Sequence, residues 1–247
     1  MTTVVVLAEP PIEDAMLPAL QPELLTADEA DRLYRAMLAD VCETVQHGEA
    51  DLLVNYPDPD WVPDDVDPEA SLRAILDAEL PASGEVRYEV QVGQTVAGRV
   101  GNAITHLLES EDAGHVAFVE PTVPLLGREH IGTAAMKLRT SEVVLGPSTD
   151  GRVYFAGFRE PVDFEDALAP PAVETLTDRA LDAGHDVDFL PILPSIEHPD
   201  DLATAVSLVR SRHAADRLVP PRTTALFEKW GLRVNEEGEL SHSSDRS

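Results

Sequence analysis

The chain has 247 residues, with 46 acids against 18 lysines and arginines, a formal net charge of −28 at pH 7. That balance, without a basic stripe, argues against nucleic acid as a partner. Apolar runs as short as Val4–Leu7 and Val116–Val119 are far too short to span a bilayer. A hydrophobic content of 43% supports a folded globular protein.

In chain order, Thr2–Glu9 reads as a continuous apolar strand, the pattern of a strand covered on both faces. A loop with Pro10, Pro11 and Pro18 follows. Thr26-Ala27-Asp28-Glu29 fits a capping box, with Leu33, Met37, Val41 and Val45 at helical spacing behind it. Asp51–Pro57 is a second strand. An acidic, proline-rich loop then ends in Asp67-Pro68, a helix start with proline in the first turn. A helix over Pro68–Leu80, a strand over Val86–Val92 and a helix over about Val96–Glu109 come next. The strand His115–Val119 leads to a helix near Leu126–Arg139. Two strands, Glu142–Ser148 and Arg152–Phe158, flank the turn Thr149-Asp150-Gly151-Arg152. A helix near Pro171–Ala183, a short strand Val187–Ile192, a helix Pro199–Arg212 and a last turn or two over Arg222–Trp230 complete the pattern. The polar tail from Asn235 to Ser247 is expected to be disordered.

Strand and helix alternate, with no repeat and no long linker. The expectation is one α/β domain over residues 1–232, three-layered, with a mostly parallel mixed sheet and helices on both faces, and a tail over 233–247. Ligands in such sheets sit outside the carboxyl ends of the strands. Here those ends are Leu7–Pro11, Tyr56–Asp60, Val119–Thr122 and Gly146–Ser148.

A single cysteine, Cys42, excludes an internal disulfide framework and fits a reducing, cytoplasmic interior. The acids are spread along the whole chain, and lysine occurs only at positions 137 and 229. This composition resembles the proteins of salt-loving archaea, whose cytoplasmic salt screens like-charge repulsion to about 3 Å.

The order of motifs resembles a domain-of-unknown-function branch of the nucleotide-diphospho-sugar transferases. The molybdenum-cofactor and phospholactate guanylyltransferases are more distant relatives. The resemblance runs from about Val4 to Val209. The helix pattern Ala-x-x-Leu-Tyr-x-x-x-Leu appears as Ala30–Leu38. Gln-x-Gly appears as Gln91-Val92-Gly93, with Arg99 behind it. Pro-Thr-Leu-Pro appears as Pro121-Thr122-Val123-Pro124, and Val-Leu-Gly-Pro as Val144–Pro147. Asp-Gly-Gly-Tyr-Tyr appears as Asp150-Gly151-Arg152-Val153-Tyr154, and the late Asp-Val-Asp-Thr-Pro-Glu-Asp-Leu as Ser195–Leu202. The resemblance implies a glycosyltransferase-A-like fold, a nucleotide or nucleotide-sugar partner, and a divalent metal (Mg or Mn) where the protein is active.

Three departures stand against that activity. The family's basic Lys-Thr-Arg-Leu loop is replaced here by Glu9-Pro10-Pro11-Ile12-Glu13-Asp14-Ala15-Met16. The aspartate after the central strand falls on Val119, and the first aspartate of the late motif on Ser195. Magnesium and manganese want hard oxygen ligands, and valine offers none. Exchanging a basic contact for an acidic one swings the interaction by several kcal/mol, given about 4 kcal/mol per pair at 4 Å and an effective dielectric of 20.

The candidate catalytic residue is Asp150, at a turn that Asp-Gly chemistry alone also explains. The candidate substrate-binding residues are Arg99, Gly151 and Thr122. The candidate metal ligands are Glu120, one position from the lost aspartate, and Glu197, although His198-Pro199-Asp200-Asp201 equally reads as a plain helix start. No dinucleotide or phosphate-loop fingerprint and no zinc spacing occurs. Two readings remain: a nucleotide-sugar or nucleotidyl transferase with a rearranged site, and a non-catalytic binding or assembly module, with a homo-oligomer open in either.

Overall fold

Alternate residues of the first strand face two different cores. In the computed structural model, which describes residues 2–12 and 15–241, β1 (Thr2–Leu7) points Val4 and Val6 into one buried cluster and Val5 and Leu7 into another. Period-two alternation on a sheet covered on both faces produces this division. Glu13 and Asp14 of the acidic loop, and residues 242–247 of the tail, lie outside the described residues.

The remaining strands are β2 (Asp51–Tyr56), β3 (Arg87–Val90), β4 (His115–Val119), β5 (Val143–Pro147), β6 (Val153–Phe158) and β7 (Val187–Phe189), with a separate pair β8 (Arg233–Val234) and β9 (Leu240–Ser241). The helices are α1 (Ala27–His47), α2 (Pro68–Glu79), α3 (Val96–Glu109), α4 (Arg128–Lys137), α5 (Ala172–Asp182), α6 (Pro199–Ala214) and α7 (Pro221–Lys229). The seven-stranded sheet runs β3-β2-β1-β4-β6-β5-β7. All pairs are parallel except those of β6, which is antiparallel to both β4 and β5. Helices α3 and α5 cover one face, whose core includes Phe118, Ile104 and Leu176. Helices α1, α2, α4, α6 and α7 contribute to the core of the other. The single-domain α/β expectation with a mixed, mostly parallel sheet matches this architecture.

Local sequence sets the helix starts. Thr26 Oγ1 accepts from the Glu29 amide at 3.3 Å, and the Glu29 carboxylate accepts from the Thr26 amide at 2.9 Å, closing the expected capping box. Asp67 caps α2 at 3.0 Å through the Ala70 amide, with Pro68 at the first helical position. Leu33, Met37, Val41 and Val45 are all buried. Truncating one such leucine to alanine costs about 2–5 kcal/mol.

Two boundaries differ from the sequence reading. Helix α4 begins at Arg128 rather than Leu126, because Gly127 takes the capping position and its amide donates to His130 Nδ1 at 2.9 Å. The tail expected to lack structure folds in part: Arg233 and Val234 pair with Ser241 and Leu240, and Asn235 and Glu239 close the turn.

The reversed direction of β6 matters most for function. Strands β1, β2, β4 and β5 end at one edge of the sheet, and β6 begins there. Its entry residues therefore stand beside the ends of its neighbours, with the Glu120 amide donating to the Tyr154 carbonyl at 3.0 Å.

Candidate functional site

Two cavities open along this edge and share the segment that enters α3. The smaller, about 340 Å³, is lined by Glu9, Pro57, Trp61, Gly93, Gln94 and Arg99. The larger, about 440 Å³, is lined among others by Thr95, Glu120, Arg152, Asp166, Glu197 and His198. A still larger cavity, about 550 Å³, lies away from the edge between α1, α2 and α7. Its arginines are all paired: Arg32 with Asp28, Arg35 with Asp31, and Arg222 with Asp40, Glu43 and Glu79. The strand-edge pair carries the unusual chemistry.

The smaller cavity is built from the ends of β1 and β2 and the turn after β3. Gly93 is required in that turn: its φ is +138°, and a Cβ there would stand 2.9 Å from the Arg99 amide nitrogen. The turn brings Arg99, in the first helical turn of α3, back over the strand ends. Arg99 Nη1 donates to Gln91 Oε1 at 2.7 Å and lies 3.7 Å from the Glu9 carboxylate, and the guanidinium sits 5.2 Å from the Trp61 ring centre. Its Nε is buried without a hydrogen-bond partner. Gln91 is itself fixed, with Nε2 donating to the Asn55 carbonyl at 2.8 Å. Burial raises the Glu9 carboxyl, and Arg99 opposes that rise.

The larger cavity is organised by Arg152, which precedes β6. Nη2 meets Asp201 Oδ2 and Thr149 Oγ1, each at 2.7 Å. Nη1 meets Glu197 Oε1 at 2.8 Å and the Ser195 carbonyl at 3.3 Å, and Nε meets the Thr149 carbonyl at 3.3 Å. All five guanidinium N–H groups can be accounted for this way. Asp201 stands in the first turn of α6, and the same carboxylate accepts from the His198 and Glu197 amides at 3.0 and 3.2 Å. Burial alone would raise the Asp201 carboxyl, but hydrogen bonds from Thr149, Arg152 and the His198 amide together hold it below the usual carboxylate range. Glu120 has the opposite fate. Burial first, and the negative charge of Glu197 second, push it up to about 8, against a smaller pull from Arg152. At neutral pH Glu120 is therefore predominantly a protonated carboxyl group on the cavity floor.

The residues singled out from sequence separate on this geometry. Glu120 and Glu197 do line one cavity, and Arg99 lines its neighbour. Asp150 is at an exposed turn with φ 55°, 4.0 Å from Arg152 and outside the linings described, and Gly151 follows it at φ +71°. Both play the part that hairpin chemistry assigns to Asp-Gly. Thr122 points inward: its hydroxyl bonds to that of Ser195 at 2.9 Å, and its carbonyl accepts from the Ile196 amide at 2.8 Å. It holds the turn after β4 to the loop before α6. Arg152, Asp201 and Trp61 were not singled out as site residues. For Arg152 the signal was present: an arginine at the second glycine of the Asp-Gly-Gly motif, at the strand edge, beside the changed acidic positions.

A divalent ion does not fit this donor set. Among the described residues no three His, Cys, Asp or Glu side chains are placed to hold a metal ion. Glu197 and Asp201 are engaged by Arg152. Cys42 is buried in α1, and burial raises its thiol to about 12, so it is an inert core residue. None of the described helices is long and apolar enough to cross a membrane.

A family profile described as "Uncharacterized protein conserved in bacteria", DUF2064, matches residues 61–168. Among solved structures, a proposed nucleotide-diphospho-sugar transferase from Desulfovibrio desulfuricans G20 superposes with a TM-score of 0.74 at 22% identity, covering 92% of this chain and 94% of its own. A cytidylyltransferase from Leptospira borgpetersenii reaches 0.50 at 10% identity, covering 92% of this chain and 94% of its own. No curated protein matches the chain. At these identities the likeness is one of fold alone, shared with a proposed nucleotide-diphospho-sugar transferase and a cytidylyltransferase.

Proposed function

We propose that this chain is a nucleotide-diphospho-sugar transferase-like protein that binds a nucleotide or nucleotide-sugar along the strand edge without a divalent cation. On this reading it serves as a binding module and not as a metal-dependent glycosyl- or nucleotidyltransferase. The observation that carries the reading is the pair of adjoining cavities with unlike chemistry. The smaller offers an aromatic face at Trp61 and the charge of the Arg99 guanidinium, whose nearest carboxylate, Glu9, stands at 3.7 Å. The segment between the two is the start of α3, where Val96 and Ala97 line the larger cavity, and a helix N-terminus favours anionic groups. The larger offers Glu120 as a hydrogen-bond donor and Glu197 and Asp166 as acceptors. That combination suits uncharged, hydroxyl-bearing groups such as a sugar, and disfavours a second anion.

The test is ligand-induced thermal stabilisation in molar KCl, with nucleosides, nucleoside diphosphates, nucleotide-sugars and free sugars, each with manganese and with chelator. Stabilisation by at least one nucleotide or nucleotide-sugar, equal in both conditions, is expected. No response across the panel, or a response seen only with manganese, contradicts the reading. Molar salt is chosen because a net charge of −28 makes self-repulsion a destabilising term in dilute buffer. The melting temperature should fall sharply on dialysis to low salt, and an unchanged value would remove the salt-adapted reading.

One observation favours a second reading. A carboxyl group raised to about 8 in a cleft is the profile of a general acid, which would make Glu120 the proton donor of a metal-free transfer. Product formation from a nucleotide-sugar in the presence of chelator, abolished in Glu120→Gln, would select it.

A further inference from the structure

Of the residues lining the smaller cavity only Arg99 and Glu9 are charged, one of each sign. Glu9 Oε1 stands 3.7 Å from Arg99 Nη1, too far for a hydrogen bond, while the same nitrogen donates to Gln91 at 2.7 Å. The root of Glu9 is fixed. Its amide donates to the hydroxyl of the buried Tyr34 at 2.8 Å, and the Ala8 amide before it donates to the Asn55 carbonyl at 3.1 Å. The tip is accessible: the Glu9 side chain is 49% exposed, against 18% for Arg99. The segment around Glu9 offers nothing else to an anion. The Glu9 amide is taken by Tyr34, and Pro10 and Pro11 have no N–H. A negative charge entering this cavity is therefore met by one guanidinium, already partly matched, and by one carboxylate at close range.

We propose that Glu9 is the charge-selecting residue of the smaller cavity: by sharing Arg99 it admits a ligand group with one negative charge and turns away groups with several. A singly charged group can take the place of Glu9 beside Arg99, charge for charge. Each further charge on the ligand adds repulsion from the Glu9 carboxylate, and no second cation lines the cavity to offset it.

The proposal deepens the nucleotide-binding reading of this edge and rests on it. Its probes carry neither base nor sugar, so a silent nucleotide panel and a failed selector are separate results. Dimethyl phosphate, with one charge, and pyrophosphate, with several, are titrated as potassium salts with chelator at constant molar ionic strength. Binding is followed by nuclear magnetic resonance shifts of the protein amides. The unaltered chain, Glu9→Gln, Glu9→Ala and the double variant Glu9→Gln/Arg99→Gln are compared. The ratio of pyrophosphate to dimethyl phosphate affinity should rise at least roughly fivefold in Glu9→Gln, since the charge removed acts on every charge of the ligand. Glu9→Ala, which also removes the charge, should repeat the rise. The double variant should not show it, which separates the selector from the small change in net charge of the whole chain. Three results would overturn the proposal: an unchanged ratio in both single variants, a rise that survives in the double variant, or a folded Glu9→Gln that binds no pyrophosphate.

Discussion

Arg99 and Arg152 stand at the same sheet edge, one in each cavity, and differ in almost every respect that governs what an arginine can do. Arg99 has one firm hydrogen bond, to a neutral glutamine, a loose carboxylate at 3.7 Å and a buried Nε without a partner. Arg152 has close carboxylates on both terminal nitrogens, with the Thr149 hydroxyl and the Thr149 and Ser195 carbonyls on the rest. The charge of the first is only loosely countered, whereas the second is neutralised and part of the scaffold. A basic residue in a cleft is thus suited to an anionic ligand only when its charge is not already matched, and the close carboxylates around it decide the matter better than position does.

Substitution should expose this difference. The largest effect is expected for Arg152→Ala, which leaves the buried Asp201 and the partly exposed Glu197 without their partner. Breaking a buried pair in this way costs about 3–5 kcal/mol. Arg99→Ala should cost no more than about 1 kcal/mol, as for a weakly paired, partly exposed guanidinium, while weakening nucleotide binding by roughly tenfold, the effect of about 1.4 kcal/mol. Chemical denaturation in molar KCl measures both stabilities, and equal losses would erase the distinction between the two arginines.

Next in size is Asp201→Asn, which removes the charge opposite Arg152 while keeping an oxygen for the amides of α6. A loss of about 2 kcal/mol is expected near neutral pH. The sign in acid follows from the lowered Asp201 carboxyl. Its contribution is present above the ordinary aspartate range and disappears as pH falls through the lower folded value. The difference between Asp201→Asn and the unaltered chain should therefore narrow in acid, and a difference that widens there would show that the carboxylate is not stabilised in the folded state.

The effect expected at Glu120 appears only at high pH and has the opposite sign. Its folded carboxyl is raised from the ordinary value of about 4.5 to about 8, so the folded state holds a proton that the unfolded state releases. Stability must then decline as pH rises from about 4.5 towards 8. Glu120→Gln, which cannot ionise, should flatten that decline and exceed the unaltered chain by on the order of 2 kcal/mol above pH 8. Parallel pH profiles for the two proteins would show that Glu120 titrates normally.

Much of the scaffold was legible because it is written locally. The Thr26 capping box, the Asp67-Pro68 helix start, the Asp150-Gly151 hairpin turn and the opening of α6 at His198 each depend on a few adjacent residues, and each appears where its chemistry requires. The carboxyl edge of the sheet, which strand order alone marks as the place to look for a ligand, is where the two adjoining cavities open. Hidden from the sequence was the joining of Arg152 to Asp201 across 49 positions. That contact depends on β6 running antiparallel between β4 and β5, and neither the two-residue nor the 3.6-residue period reports strand direction. Asp201 was read as one of the acids at a helix start, which it is, and the same carboxylate also reaches Arg152. The β8–β9 pair escaped for a different reason: two-residue strands around Glu236-Glu237-Gly238 are too short and too charged to show alternation.

The most direct test of the account is the dissociation constant of whichever nucleotide or nucleotide-sugar stabilises the chain, measured by calorimetry in molar KCl with chelator and again with excess manganese. The same affinity is expected in both, because the cation lining the larger cavity is Arg152. Binding that is tenfold or more tighter with manganese, and that loses this gain in Glu197→Gln, would contradict it.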